Sequence, residues 1–235
     1  MTYTLLIQGP LNPTSLDAIQ MFDYHKQFDE IVISHWSCDS PELKNKLSSI
    51  ENIIVVESDL PNIAETTNEG PDNGSTFWWS ITSTYEGLKK CTSDYTVKMR
   101  SDEYYGDFSK MKTLFEEDEK KMVFANIFVK YWYAWRHHIG DHMFVAKTKR
   151  LQETYEWMNK CYTEECPWWM VQKKRSTAET ILARSYIHTN YYQTHKNPKT
   201  NIPYMSEAHG DWMNGERLLV KLFNVIDINL LGEHY

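Results

Sequence analysis

The feature that most constrains this chain is the alternation running through its first hundred residues. Short apolar runs recur, each followed by a polar segment of helical length. Strands are expected at Thr4–Ile7, Glu30–Ser34, Asn52–Val56 and Tyr95–Met99, the second of them β-branched at its centre. Helices are expected at Ser15–Gln27, where Leu16, Ile19, Met21 and Phe22 fall at helical spacing, at Pro41–Ile50, with proline in the first turn, and at Thr76–Lys90. Strand and helix alternating at this spacing build right-handed βαβ units and a parallel sheet. Ligand-binding loops of such a sheet lie at the carboxyl ends of its strands. Here those ends are Gln8-Gly9-Pro10, His35-Trp36-Ser37, Glu57-Ser58-Asp59 and Arg100-Ser101-Asp102-Glu103.

The second half is less regular. Strands are expected at Met122–Tyr131 and Met143–Ala146, and helices at Leu151–Asn159 and Thr177–Tyr186. Asn190–Pro203 reads as polar loop and Leu218–Asn229 as a mixed apolar tail. No Pro/Gly/Ser linker, internal repeat or low-complexity tract interrupts the chain, so a single domain over 1–235 is expected.

Several function classes lose support. The net charge is −7, from 25 basic and 32 acidic residues, and no polybasic run stands out, which argues against a nucleic-acid partner. The first-strand loop lacks G-x-G-x-x-G, and G-x-x-x-x-G-K-[ST] occurs nowhere, so dinucleotide and P-loop sites are disfavoured. Cys38, Cys91, Cys161 and Cys166 show no zinc-ligand spacing and point to a reducing compartment. The N-terminus has no signal-peptide pattern, and no run of ~18 apolar residues exists to span a membrane. A soluble, cytoplasmic protein is therefore expected.

The segment Tyr95–Tyr104 puts Asp102 and Glu103 at the end of the fourth strand. Hard divalent cations take oxygen ligands, and Mn²⁺ or Mg²⁺ commonly uses one or two protein carboxylates while keeping positions for phosphate oxygens. Such an ion acts as a Lewis acid on a departing diphosphate. Arg100 would add a charge-assisted contact or orient Asp102. The plainer reading is that Ser101-Asp102-Glu103 caps the next helix.

Three segments, "LLIQGP" at the N-terminus, "VKMRSDEYY" at the fourth strand and "GDHMFVAKT" further on, resemble the WavE-type glycosyltransferases of lipopolysaccharide and viral-glycan synthesis. The resemblance implies an α/β, GT-A-like nucleotide-diphospho-sugar transferase fold: a mixed, mainly parallel central sheet with helices on both faces. It also implies a nucleotide-sugar donor, a glycan or glycoconjugate acceptor, and Mn²⁺ or Mg²⁺. On that reading 1–105 is the nucleotide-binding half and 106–235 the acceptor-binding half. The segment departs from a strict Asp-x-Asp, because Arg100 or Ser101 stands where the first acid would be.

The resemblance assigns Gln8, Gly9 and Pro10 to the nucleotide, with Gly9 allowing close backbone approach; an ordinary turn is the plainer reading. Trp36 is a candidate to stack on the base, with a packed edge tryptophan the alternative, Asp59 to hold ribose hydroxyls, and Arg100 to contact the nucleotide. Asn73 and Asp102 are candidates for the donor sugar, and Trp135 and His138, in a ring-dense stretch, for the acceptor. Asp102 and His209 are the candidate metal ligands. Asp141 and Glu179 are rivals for the catalytic carboxylate, the second also explicable as an acid favoured by a helix N-terminus. Two alternatives stand beside this reading. A sugar-nucleotide nucleotidyltransferase usually carries a basic glycine-rich loop after the first strand, which "QGPLNPTS" lacks. A degenerate sugar-binding module would bind without turnover.

Overall fold

The computed structural model describes residues 1–61, 75–125, 140–163, 178–192 and 222–231. Four strands come from the first half: β1 (Tyr3–Gln8), β2 (Glu30–Trp36), β3 (Ile54–Ser58) and β4 (Tyr95–Arg100). Three come from the second: β5 (Met122–Ala125), β6 (Met143–Lys147) and β7 (Phe223–Ile226). All seven join one sheet in the order β3-β2-β1-β4-β6-β5-β7. The first four are mutually parallel. β6 runs antiparallel to both β4 and β5, and β7 pairs parallel with β5. This is the expected mixed, mainly parallel sheet.

Helices cover both faces, and the two-residue period of the strands sorts the core between them. Leu5, Ile7, Ile31, Ile33, Val97 and Met99 face one layer, built from α1 (Pro13–Met21), α2 (Tyr24–Gln27), α3 (Pro41–Ser48) and α5 (Ser109–Glu117). Leu6, Val32, Val56, Phe124 and Phe144 face the other, built from α4 (Ser75–Leu88), α6 (Thr148–Thr163) and α7 (Ala178–Ile187). Among the described residues no helix is long and apolar enough to cross a membrane.

The local chemistry explains most element boundaries. The side chain of Asn12 caps α1 by accepting from the Thr14 N–H, and Pro13 fits the first turn, where no N–H is required. Ser40 and Pro41 start α3 in the same way. The continuous helix expected over Ser15–Gln27 is instead two. Phe22 ends the first, and Asp23 turns left-handed at φ 49° before Tyr24 begins the second. Burial decides this. The break lets Tyr24 turn into the core, where its hydroxyl donates to the Tyr105 carbonyl at 2.8 Å and accepts from the Tyr105 N–H at 3.2 Å.

Candidate functional site

The carboxyl ends of β1, β2 and β4 meet at one edge of the sheet. Gly9 follows β1 with φ +123°, and its N–H donates to the Ser34 carbonyl of β2 at 3.1 Å. On the other side, the Ser101 N–H donates to the Gln8 carbonyl, and the Ser101 hydroxyl donates to the Pro10 carbonyl at 2.6 Å. A Cβ added at Gly9 would sit 2.7 Å from Ser101 Oγ. Glycine is thus required here twice, by backbone angle and by space.

A carboxylate the sequence did not single out fastens the next loop. Asp39 Oδ2 accepts from the N–H groups of Leu11 (3.1 Å) and Trp36 (3.0 Å) and lies 3.2 Å from His35 Nδ1. Asp39, in the loop after β2, therefore ties the loop after β1 to the end of β2.

After β4 the chain carries the densest charge cluster described. Arg100 grips Asp102 side-on: Nε donates to Oδ1 at 2.8 Å and Nη2 to Oδ2 at 2.5 Å. Burial raises the Asp102 carboxyl, but the Arg100 hydrogen bonds and charge, with help from His142, leave it below its ordinary value. The pairing with Asp102 also raises the Arg100 guanidinium. Glu103 turns the opposite way. One of its oxygens accepts from the buried Tyr105 hydroxyl at 2.8 Å, and the other is hydrogen-bonded to His142 Nδ1. His142 Nε2 lies 3.8 Å from Asp141 Oδ1. Behind them Lys98, 1% exposed, donates to the Asp141 carbonyl. Burial pushes the Lys98 ammonium down to about 8, against the opposing pull of Asp141 and Glu103.

Ser101-Asp102-Glu103 does not cap a helix, since α5 begins only at Ser109. The segment is instead a loop pinned by the Pro10 carbonyl, Tyr105 and His142. The other candidates fall as follows. Asp102, Arg100, Asp141 and the Gly9-Pro10 turn share one edge. Asp59 lies further along it, accepting from the Ser37 hydroxyl at 2.6 Å. Gln8 is buried, and its amide oxygen accepts from Ser83 of α4, so the side chain faces inward. Trp36 is also buried, at 3% exposure, so its ring is covered by protein. Asn73, Trp135, His138 and His209 lie outside the described residues, as does the side chain of Glu179 on α7.

Sequence reading missed Lys98, His142, Asp39 and the inward role of Glu103. Lys98 alone carried a signal, as a lysine inside an otherwise apolar strand at a position paired with Leu6. The depression lined by Thr2, Asp29, Glu30 and Asn52, about 510 Å³, opens at the amino ends of the strands, remote from this cluster.

The expected divalent metal fits this arrangement poorly. Both Asp102 oxygens accept from Arg100, both Glu103 oxygens are hydrogen-bonded to Tyr105 and His142, and the cations Lys98 and Arg100 already offset the negative charge that would attract an ion. Among the described residues no three His, Cys, Asp or Glu side chains converge on a metal position.

No family model matches the chain, and no curated protein does. Solved structures are similar. TarS of S. aureus aligns at TM-score 0.47 and 11% identity, covering 80% of this chain and 34% of that one. The 4-diphosphocytidyl-2C-methyl-D-erythritol synthase of Anaerococcus prevotii aligns at TM-score 0.45 and 15% identity, covering 83% and 99%. The glucosyl-3-phosphoglycerate synthase of Mycobacterium tuberculosis, solved with Mn²⁺, uridine diphosphate and phosphoglyceric acid, aligns at TM-score 0.43 and 13% identity, covering 65% and 57%. The fold assignment itself rests on strand order and direction: a parallel β3-β2-β1-β4 half closed by the antiparallel β6.

Proposed function

We propose that this protein is a glycosyltransferase of the WavE type that moves a hexose or deoxyhexose from a UDP-sugar to a glycan hydroxyl. The observation that carries the reading is the charge cluster after β4, set beside the glycine turn after β1 at the carboxyl edge of a mainly parallel sheet. A nucleoside diphosphate needs fixed cationic N–H donors, and Arg100 supplies them next to Ser101, which is hydrogen-bonded to the turn after β1.

In this assignment Gly9, Pro10 and Asp59 serve the nucleoside, and Arg100 serves the diphosphate. Gln8 and Trp36 support the nucleotide from behind. Asp102 bounds the donor sugar. Asp141 is the acceptor base, with Glu179 as its rival, and Asn73, Trp135 and His138 complete the sugar sites. Mn²⁺ or Mg²⁺ on Asp102 and His209 is the form the family resemblance implies, and it requires the Arg100–Asp102 pair to open.

Calorimetric titration with UDP, GDP, CDP and ADP tests the reading. Binding of UDP in the micromolar range, about −8 kcal/mol, with weaker binding of the others, is expected. A panel of UDP-sugars assayed for slow hydrolysis then names the donor. If no nucleotide binds with or without Mn²⁺, the reading is wrong.

A further inference from the structure

We propose that the guanidinium of Arg100, held by Asp102, is itself the cation that receives the diphosphate, in place of a divalent metal. This rests on the glycosyltransferase reading. A metal at this edge would have to compete with protein donors, because each of the four oxygens of Asp102 and Glu103 already has a hydrogen-bond partner. It would also sit against Arg100 and next to Lys98, two cations already placed among the acids Asp102, Glu103 and Asp141.

Arg100 suits the role by geometry. Its pair with Asp102 uses Nε and one side of Nη2, so the fork is fixed in direction. The two N–H groups of Nη1 and the second of Nη2 belong to the edge that this pair does not use. A planar fork with parallel N–H groups matches two oxygens of a phosphate. Arg100 is also 38% exposed on its side chain, so a ligand reaches it without unfolding the loop. Asp102 thereby acts as the positioning residue that aims the guanidinium.

In the transfer step the bond from the sugar anomeric carbon to the β-phosphate oxygen breaks, and its electron pair stays on that oxygen. The acceptor hydroxyl oxygen forms the new bond to the anomeric carbon, and its proton passes to a carboxylate of the site. The charge gained by the leaving diphosphate falls on N–H donors that are already oriented.

The test is UDP titration of wild type, Arg100→Ala, Arg100→Lys and Asp102→Asn, each after EDTA treatment and again with added Mn²⁺, with melting curves to establish that each variant folds. Wild type is expected to bind UDP within about threefold whether or not Mn²⁺ is present. Arg100→Ala should lose about 100-fold in affinity, and Arg100→Lys about tenfold, because a point charge replaces a fork. Added Mn²⁺ should restore neither. UDP binding that requires Mn²⁺ and survives Arg100→Ala overturns the inference and leaves the glycosyltransferase reading standing. Absence of nucleotide binding by folded wild type under both conditions overturns both.

Discussion

Lys98, on β4, donates its ammonium to the backbone carbonyl of Asp141, 2.5 Å away, just ahead of the antiparallel strand β6. The bond ties the candidate base to the strand that carries Arg100. It also buries a charge on the face lined by Leu6 and Phe144, 5.4 Å from the Phe144 ring centre.

This burial gives a pH signature. The folded value of Lys98, about 8, lies below the 10.5 of the free side chain. A depressed value means that the unfolded chain binds the extra proton between those two limits, so stability rises with pH through that window. The Lys98 contribution is present above 10.5 and lost as pH falls through about 8. Wild type is expected to gain on the order of 3 kcal/mol relative to Lys98→Met between pH 8 and 10.5. Urea denaturation of both proteins across that range measures it, and a difference that does not change with pH would refute it.

Gly9→Ala should destabilise the fold by about 2 kcal/mol, from the positive φ and the contact with Ser101 Oγ. Ser101→Ala removes the clashing oxygen. The double variant should therefore be less destabilised than the sum of the two single changes, while the backbone cost remains. Strict additivity in a chemical-denaturation cycle would show that the two positions do not meet.

Asp39→Ala leaves the N–H groups of Leu11, in the loop after β1, and Trp36, at the end of β2, without their shared acceptor, and a loss of about 2–3 kcal/mol is expected. Asp39→Asn keeps an acceptor oxygen and should retain about half of that stability. Equal thermal melts for the two variants would contradict this account.

Asp141→Asn keeps the backbone carbonyl that Lys98 holds and removes only the basic carboxylate. On the proposed function it should lower kcat for sugar transfer by about 100-fold or more, with donor KM near that of wild type. Unchanged kcat, with a loss in Glu179→Gln instead, would move the base to α7.

The sequence alone determined the order β1-α-β2-α-β3-α-β4. Each of those strands is an apolar run with a period set by local pleat, and each helix boundary at Asn12–Pro13 and Ser40–Pro41 is written in neighbouring residues. It likewise determined that Gly9, Asp59 and Arg100–Glu103 would stand at the carboxyl ends of strands, since that follows from chain direction in a parallel sheet. Tertiary structure decided the rest. Where His142 meets Glu103 and Asp141 meets Lys98 depends on the antiparallel pairing of β6 with β4, in the register Met99 to Met143, across more than forty residues of intervening chain that no local pattern specifies. The inward turn of Gln8 depends on α4 presenting Ser83, and the break at Asp23 on the space that Tyr24 fills beneath Tyr105. These are contacts between segments distant in sequence, chosen by burial and by the need of each buried polar group for a partner, so they arise only once the sheet has assembled.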